Sequence, residues 1–278
     1  MILNRDAPPM HTKILTGLLV LIGTGSPLAG QLPSNRTVPL PSRIEVPIAE
    51  VPFGPGEWAE YQVRLGPLSV GSGEMEIVGV EQIRGRPSYH MSWRIRGGIP
   101  LARVNDHFQT WMDIETLASR RFIQDIHEVR YRNYRHFEIY PEEQRWQRMD
   151  ADAGEPLSAP VPLDDIAFIY YVRTLPLEVG ETYELDLYFR DDRNPVRLEV
   201  LRREQIRVPA GTFNTIVVRP TIQTDGLFGE GGEAEVYFTD DERRLLVRLT
   251  SRIPVVGSLS LHLREYRAGS PLRSWARR

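Results

Sequence analysis

Residues 162–176 read Pro-Leu-Asp-Asp-Ile-Ala-Phe-Ile-Tyr-Tyr-Val-Arg-Thr-Leu-Pro, and no other stretch limits the fold as much. Asp164 or Asp165 can cap a helix start, Pro176 stops it, and the pattern predicts one helix over 163–175. Ile166, Ile169, Tyr170 and Arg173 share one stripe of that helix, while Phe168, Tyr171 and Val172 make the opposite side apolar as well. A helix apolar all round needs cover on several sides. The expectation is therefore a plug enclosed by curved sheet.

The rest of the mature sequence alternates with period two. In 58–65, Ala59, Tyr61, Val63 and Leu65 oppose Glu60, Gln62 and Arg64. The same grammar marks strands over 73–80, 89–95, 108–113, 119–126 and 129–140 before the helix. After it come 183–189, 196–208, 212–219, 233–239, 245–253 and 257–266. Each strand has a dry and a wet face, as in antiparallel sheet. Gly56-Glu57-Trp58 through Tyr61 is echoed by Gly180-Glu181-Thr182 through Leu185, and Trp111-Met112-Asp113 before Arg120-Arg121 is echoed by Tyr237-Phe238-Thr239 before Arg243-Arg244. Both echoes are spaced by roughly 125 residues, which suits two similar halves.

The N-terminal segment bears on location. Arg5, His11 and Lys13 precede an apolar run over 14–22, followed by Gly23, Gly25, Ser26, Ala29 and Gly30. That is the pattern of a secretory signal. The run is short for a bilayer span, and Gln31 stands where a lipoprotein signal would carry its lipidated cysteine. Residues 1–30 are expected to direct export and be cleaved, leaving a periplasmic or secreted protein with no membrane span. Residues 31–52 form a proline-rich linker, 53–266 the β domain with halves 53–160 and 177–266, and 267–278 a flexible tail.

Composition removes several chemistries. A net charge of −3 argues against a nucleic-acid binder, and the absence of cysteine removes disulfides, thiol catalysis and thiolate metal sites. The histidines are scattered singly, without His-Glu-x-x-His or His-x-His, so neither metal nor cofactor is expected. Gly71-Ser72-Gly73 lacks the strand-to-helix context of a nucleophile elbow and reads as a hairpin turn. The glycine-rich 225–232 lacks the lysine and helix of a phosphate loop. The doublets Asp164-Asp165 and Asp240-Asp241 read as a helix cap and a turn, and no catalytic residue is assigned.

Lys13 is the sole lysine, so the positive charge is almost wholly guanidinium, whose fork matches carboxylates and phosphates. The polar side of 129–140 carries Arg130, Arg132, Tyr134 and His136, extended by Arg94 and Arg96 from a neighbouring strand. Arginines interleaved with tyrosine can hold an anionic sugar or lipid headgroup, or pair with glutamates on the next strand. Arg173 differs in kind, because an enclosed guanidinium requires a carboxylate, carbonyls or a ligand anion.

Phe53-Gly54-Pro55-Gly56-Glu57, Asp164-Asp165 through Arg173, Val208-Pro209-Ala210-Gly211-Thr212-Phe213, and Phe238-Thr239-Asp240-Asp241 through Arg243-Arg244-Leu245 occur in that order. Together they resemble the exported bacterial family called domain of unknown function 3108, over about 53–266. Where that family places a proline after the arginine pair, this chain has Leu246 or Val247. The resemblance implies an envelope location and a β-rich fold, and no activity.

The expected fold is all-β: a curved antiparallel sheet, or a barrel-like pair of sheets, with one central connecting helix. The expected function is non-catalytic binding of an amphipathic or glycan ligand, or of an envelope protein partner, in the concavity beside the helix. Arg94, Arg130, Arg132, Tyr134, His136 and Arg173 are the candidate contacts. A carboxylate-dependent hydrolase of envelope glycans and an assembly factor without a pocket are the alternatives.

Overall fold

The computed structural model describes residues 51–99, 102–128, 131–221, 233–253, 257–270 and 272, together with the backbone of 36–38. The expected signal, most of the linker, the loop 225–232, Arg130 and the end of the tail lie outside the described residues.

After the short β1 (Arg36–Val38), the chain meanders through β2 (Trp58–Leu65), β3 (Leu68–Ile83), β4 (Arg86–Ile99), β5 (Ala102–Asp113) and β6 (Ser119–Glu128). It continues through β7 (Tyr131–Tyr140), β8 (Arg145–Arg148) and β9 (Ala153–Pro156), then enters α1 (Asp165–Val172). A second meander follows: β10 (Glu181–Leu185), β11 (Val196–Val208), β12 (Gly211–Thr221), β13 (Glu233–Thr239), β14 (Leu246–Ile253) and β15 (Gly257–Arg267). All fifteen belong to one sheet, ordered β1-β10-β11-β12-β13-β14-β15-β2 and then in sequence to β9. The pairings are antiparallel except β1 on β10. The fold is thus mostly β with one helix. The sheet curves without closing, and β9 and β1 form its ends.

Two features produce the curvature. Period-two strands turn one apolar face inward: β2 buries Ala59, Tyr61 and Val63 and sends Glu60, Gln62 and Arg64 outward. Register shifts at Val63/Arg64, Ile77/Gly79, Trp111/Met112, Val200/Arg202, Tyr237/Phe238 and Leu263/Glu265 then bend the strands that carry them. The connection from β9 to β10 crosses the hollow of this sheet and carries the helix with it.

The enclosed plug is what the structure shows. Every residue of 166–172 is buried. Asp164 caps the helix, its Oδ1 accepting from Ile166 N at 2.9 Å and Ala167 N at 3.1 Å. Its Oδ2 accepts from Ser119 Oγ at 2.6 Å and from the Thr110 hydroxyl, which ties the cap to β6 and β5. Tyr170 packs edge-on against Phe53 with centroids 5.1 Å apart.

Several local expectations need correction. Gly71 and Gly73 lie inside β3, and the hairpin turn is Gly66-Pro67. Glycine at 71 answers a close approach: a Cβ there would meet Arg96 O at 2.2 Å, and one on Gly97 would meet Val70 O at 2.3 Å. The segment 183–189 is not one strand. β10 stops at Leu185, and the Asn194 side chain then takes over as partner of Tyr188, bonding its N at 2.8 Å and its O at 3.0 Å. That turns Phe189 onto Phe137 and Trp146 at 5.2 and 5.8 Å. β8 and β9 were not legible, because neither alternates apolar and polar residues. The beginning of the expected loose tail is docked: Ser270 N donates to Pro55 O at 2.8 Å, and Leu272 is buried.

Candidate functional site

Arg173 is fully enclosed at the end of α1. Its Nη1 donates to Glu57 Oε1 at 2.6 Å and its Nη2 to Glu57 Oε2 at 3.0 Å, a two-pronged pair with both side chains buried. Nη2 also donates to Arg243 O at 3.0 Å and Pro52 O at 3.3 Å, and the rings of Phe53 and Tyr170 each lie 5.2 Å away. Burial pushes the guanidinium down, but Glu57 outweighs it and Arg173 rises above its ordinary value. The space left beside this pair is about 10 Å³, between Tyr61, Met75, Ile169 and Tyr170. A void of that size holds about one water. The expected hollow for a guest next to the helix is filled by aromatic rings and the ion pair, so Arg173 is engaged by the protein itself.

The other candidates occupy the outer surface of β4 to β7. Arg94, His107, Asp125 and Tyr134 form one row across these four strands. Arg94 therefore shares a face with β7 but is not on a strand adjacent to it: β5 and β6 intervene. Its Nη1 lies 3.8 Å from Glu74 Oε1 on β3, the expected pairing with a neighbouring carboxylate. Arg132 and Tyr134 point to solvent, with Tyr134 51% exposed. His136 is taken up by Glu138, its Nε2 2.8 Å from Oε1.

Glu138 is the hub that sequence reasoning missed. It is buried and accepts from Arg84, from Arg121 Nε at 2.5 Å and from His136. Burial pushes its carboxyl up, but the Arg121 and His136 bonds and the Arg84 charge hold it below the usual range. Arg121 lies 5.3 Å over the Trp111 ring, which stacks on His90 at 4.4 Å with an interplanar angle of 7°. Glu81 closes the chain of contacts, accepting from Trp111 Nε1 at 2.7 Å and facing His90 Nδ1 at 3.0 Å. The pattern was hidden because its members come from five strands, and each alone reads as a polar residue on a wet face.

The carboxylate doublets are occupied structurally. Asp164 carries the helix cap, and Asp165 Oδ1 accepts from Tyr188 OH at 2.6 Å. Asp240 Oδ2 accepts from Arg203 Nε at 3.0 Å, and Asp241 from Arg243 Nε at 3.0 Å and Thr239 Oγ1 at 2.7 Å. Among the described residues, no three His, Asp or Glu side chains gather as a metal site would require.

A protein family described only as of unknown function, DUF3108, matches residues 60–264, most of the chain. The chain belongs to this family. No curated protein matches this DUF3108 chain. Among solved structures, it is similar to a β-barrel-like protein of the domain of unknown function DUF1849 from Brucella abortus, at 10% identity and a TM-score of 0.50, covering 78% of this chain and 99% of that one. A looser likeness, at 8% identity and a TM-score of 0.35, links it to the hypothetical protein CT021 from Chlamydia trachomatis, covering 78% and 88% of the two chains. At such identities the first likeness shows the fold alone, a barrel-like β architecture for the DUF3108 chain. No helix among the described residues is long and apolar enough to cross a membrane.

Proposed function

We propose that this DUF3108 protein is an exported, non-catalytic envelope protein that binds an anionic glycan on the outside of its sheet. The observation that carries the reading is the surface of β7, where Tyr134 stands 51% exposed with Arg132 beside it on the same face. An open aromatic face flanked by a guanidinium suits a sugar ring bearing a carboxylate or phosphate, by stacking and forked hydrogen bonds. The filled space beside the Glu57–Arg173 pair favours the exterior over the concavity for this reading. Export is supported by the signal-like pattern of residues 1–30.

Native mass spectrometry of the full chain purified from its own envelope tests the idea. An acidic oligosaccharide is expected on the parent protein and absent from Tyr134→Ala and Arg132→Ala. Protein that is repeatedly free of glycan, or an adduct that survives both substitutions, would count decisively against it.

A further inference from the structure

Many outward arginines of this sheet meet a carboxylate. Arg202 reaches Glu235 at 2.7 Å, Arg203 reaches Asp240 at 3.0 Å, and Arg84 and Arg121 converge on Glu138. Arg64 and Arg248 are among those that do not. Neither makes an ion pair among the described residues, and the Nε of each is buried without an acceptor.

The register brings these two together. Arg248 on β14 faces His262 on β15, which faces Gln62 on β2, and in the next row Thr250, Ser260 and Arg64 are aligned. The two arginines therefore flank His262 from opposite sides, their backbones about 12 Å apart, two strand spacings across and two residues along. Both side chains can reach one small ion between them. Arg248 is fixed in orientation by the Tyr237 ring, 3.9 Å from its guanidinium carbon. His262 Nε2 lies 2.9 Å from Ser260 Oγ, and the Gln62 Oε1 is buried with no donor.

Among the described residues, Glu265 lies on the same face, opposite Glu60 and one row from His262, but is exposed to solvent. Glu60, on the same face of β2, is 3.4 Å from Arg264, and Glu235, opposite Thr250, is held by Arg202, Arg219 and Tyr237. Burial first, then the charges of Arg64 and Arg248, press His262 down to about 4. The cluster thus has guanidinium, imidazole and hydroxyl donors around one spot, and a single orphaned acceptor.

We propose that the outer surface of β2, β15 and β14 is a binding site for a phosphate group, held between Arg64 and Arg248 over His262. Phosphate fits better than a carboxylate for two reasons. Its tetrahedral oxygens can face donors on three strands at once, and its P–OH can donate to the orphaned Gln62 Oε1. The site is independent of the glycan surface on β7.

The test follows the His262 imidazole by NMR in the full chain, titrated with inorganic phosphate and with chloride at matched ionic strength. Phosphate is expected to raise the His262 midpoint from about 4 by at least about one unit, while chloride leaves it in place. Arg64→Gln and Arg248→Gln should each weaken phosphate binding about tenfold or more, and each should lift the phosphate-free midpoint, which reports that the variant is folded. A response to phosphatidic acid vesicles but not to inorganic phosphate would assign the group to a lipid headgroup, and a response to inorganic phosphate to a soluble ligand. No movement of His262 with either, or unchanged affinity in both variants, would overturn the site.

Discussion

Asp106 shows how a single residue can depart from its strand pattern. Its side chain faces inward on β5 between Val104 and Phe108 and is buried, and its carboxylate accepts from His127 N at 2.8 Å. Burial pushes the carboxyl from its ordinary 3.8 to about 6, more than the His127 bond pulls it back. Between about pH 4 and pH 6 the folded chain therefore binds more protons than the unfolded one, and stability falls as pH rises through that window. Asp106→Asn keeps an acceptor for His127 N and removes the charge. Its stability relative to the parent should be greater at pH 7 than at pH 4 by about 2 kcal/mol, read from urea unfolding at each pH. A difference that stays constant with pH would mean that Asp106 does not titrate in this range. At this scale the sequence was legible for Arg173, whose need for a carboxylate or carbonyls follows from burial alone. It was silent on Glu57, because nothing local connects residues 116 positions apart.

Among the elements, α1 was the clearest in sequence, since cap, apolar surface and terminal proline all agree. Asp164 does more than cap it. The same carboxylate joins the first turn of the helix to Ser119 and Thr110, so the helix start is pinned to the wall it packs on. Asp164→Ala leaves two backbone N–H groups and two buried hydroxyls short of an acceptor, and should cost about 2 kcal/mol or more in urea unfolding. A loss under about 0.5 kcal/mol would show that other groups supply those bonds. The internal echoes also have structural counterparts: Gly56 and Gly180 both take positive φ, +82° and +91°, just before β2 and β10. The paired motifs Trp111-Met112 and Tyr237-Phe238 both carry a register shift, at the ends of β5 and β13. The end of β10 and the existence of β8 and β9 were not legible. A side-chain amide decided the first, and β8 and β9 are held by pairing without an apolar stripe.

For the whole molecule, the ion pair of Glu57 and Arg173 links parts that the sheet order keeps apart. It joins the end of the helix to the entrance of β2 and, through Arg243 O, to the turn between β13 and β14. Removing one partner strands a buried charge. Glu57→Gln should cost about 3 kcal/mol, while Glu57→Leu combined with Arg173→Met should recover most of it, both read from urea unfolding. If Glu57→Gln were neutral, the two carbonyls would be sufficient for Arg173. The alternation of apolar and polar residues determined by itself that this chain forms antiparallel sheet around one enclosed helix, because the side-chain period sets which face must be dried. Only the tertiary structure decided that the space beside the Glu57–Arg173 pair is filled, and that register brings Arg64 and Arg248 to either side of His262. Volume left over by packing and charges brought together by register depend on pairings between distant strands, and no local pattern encodes those distances.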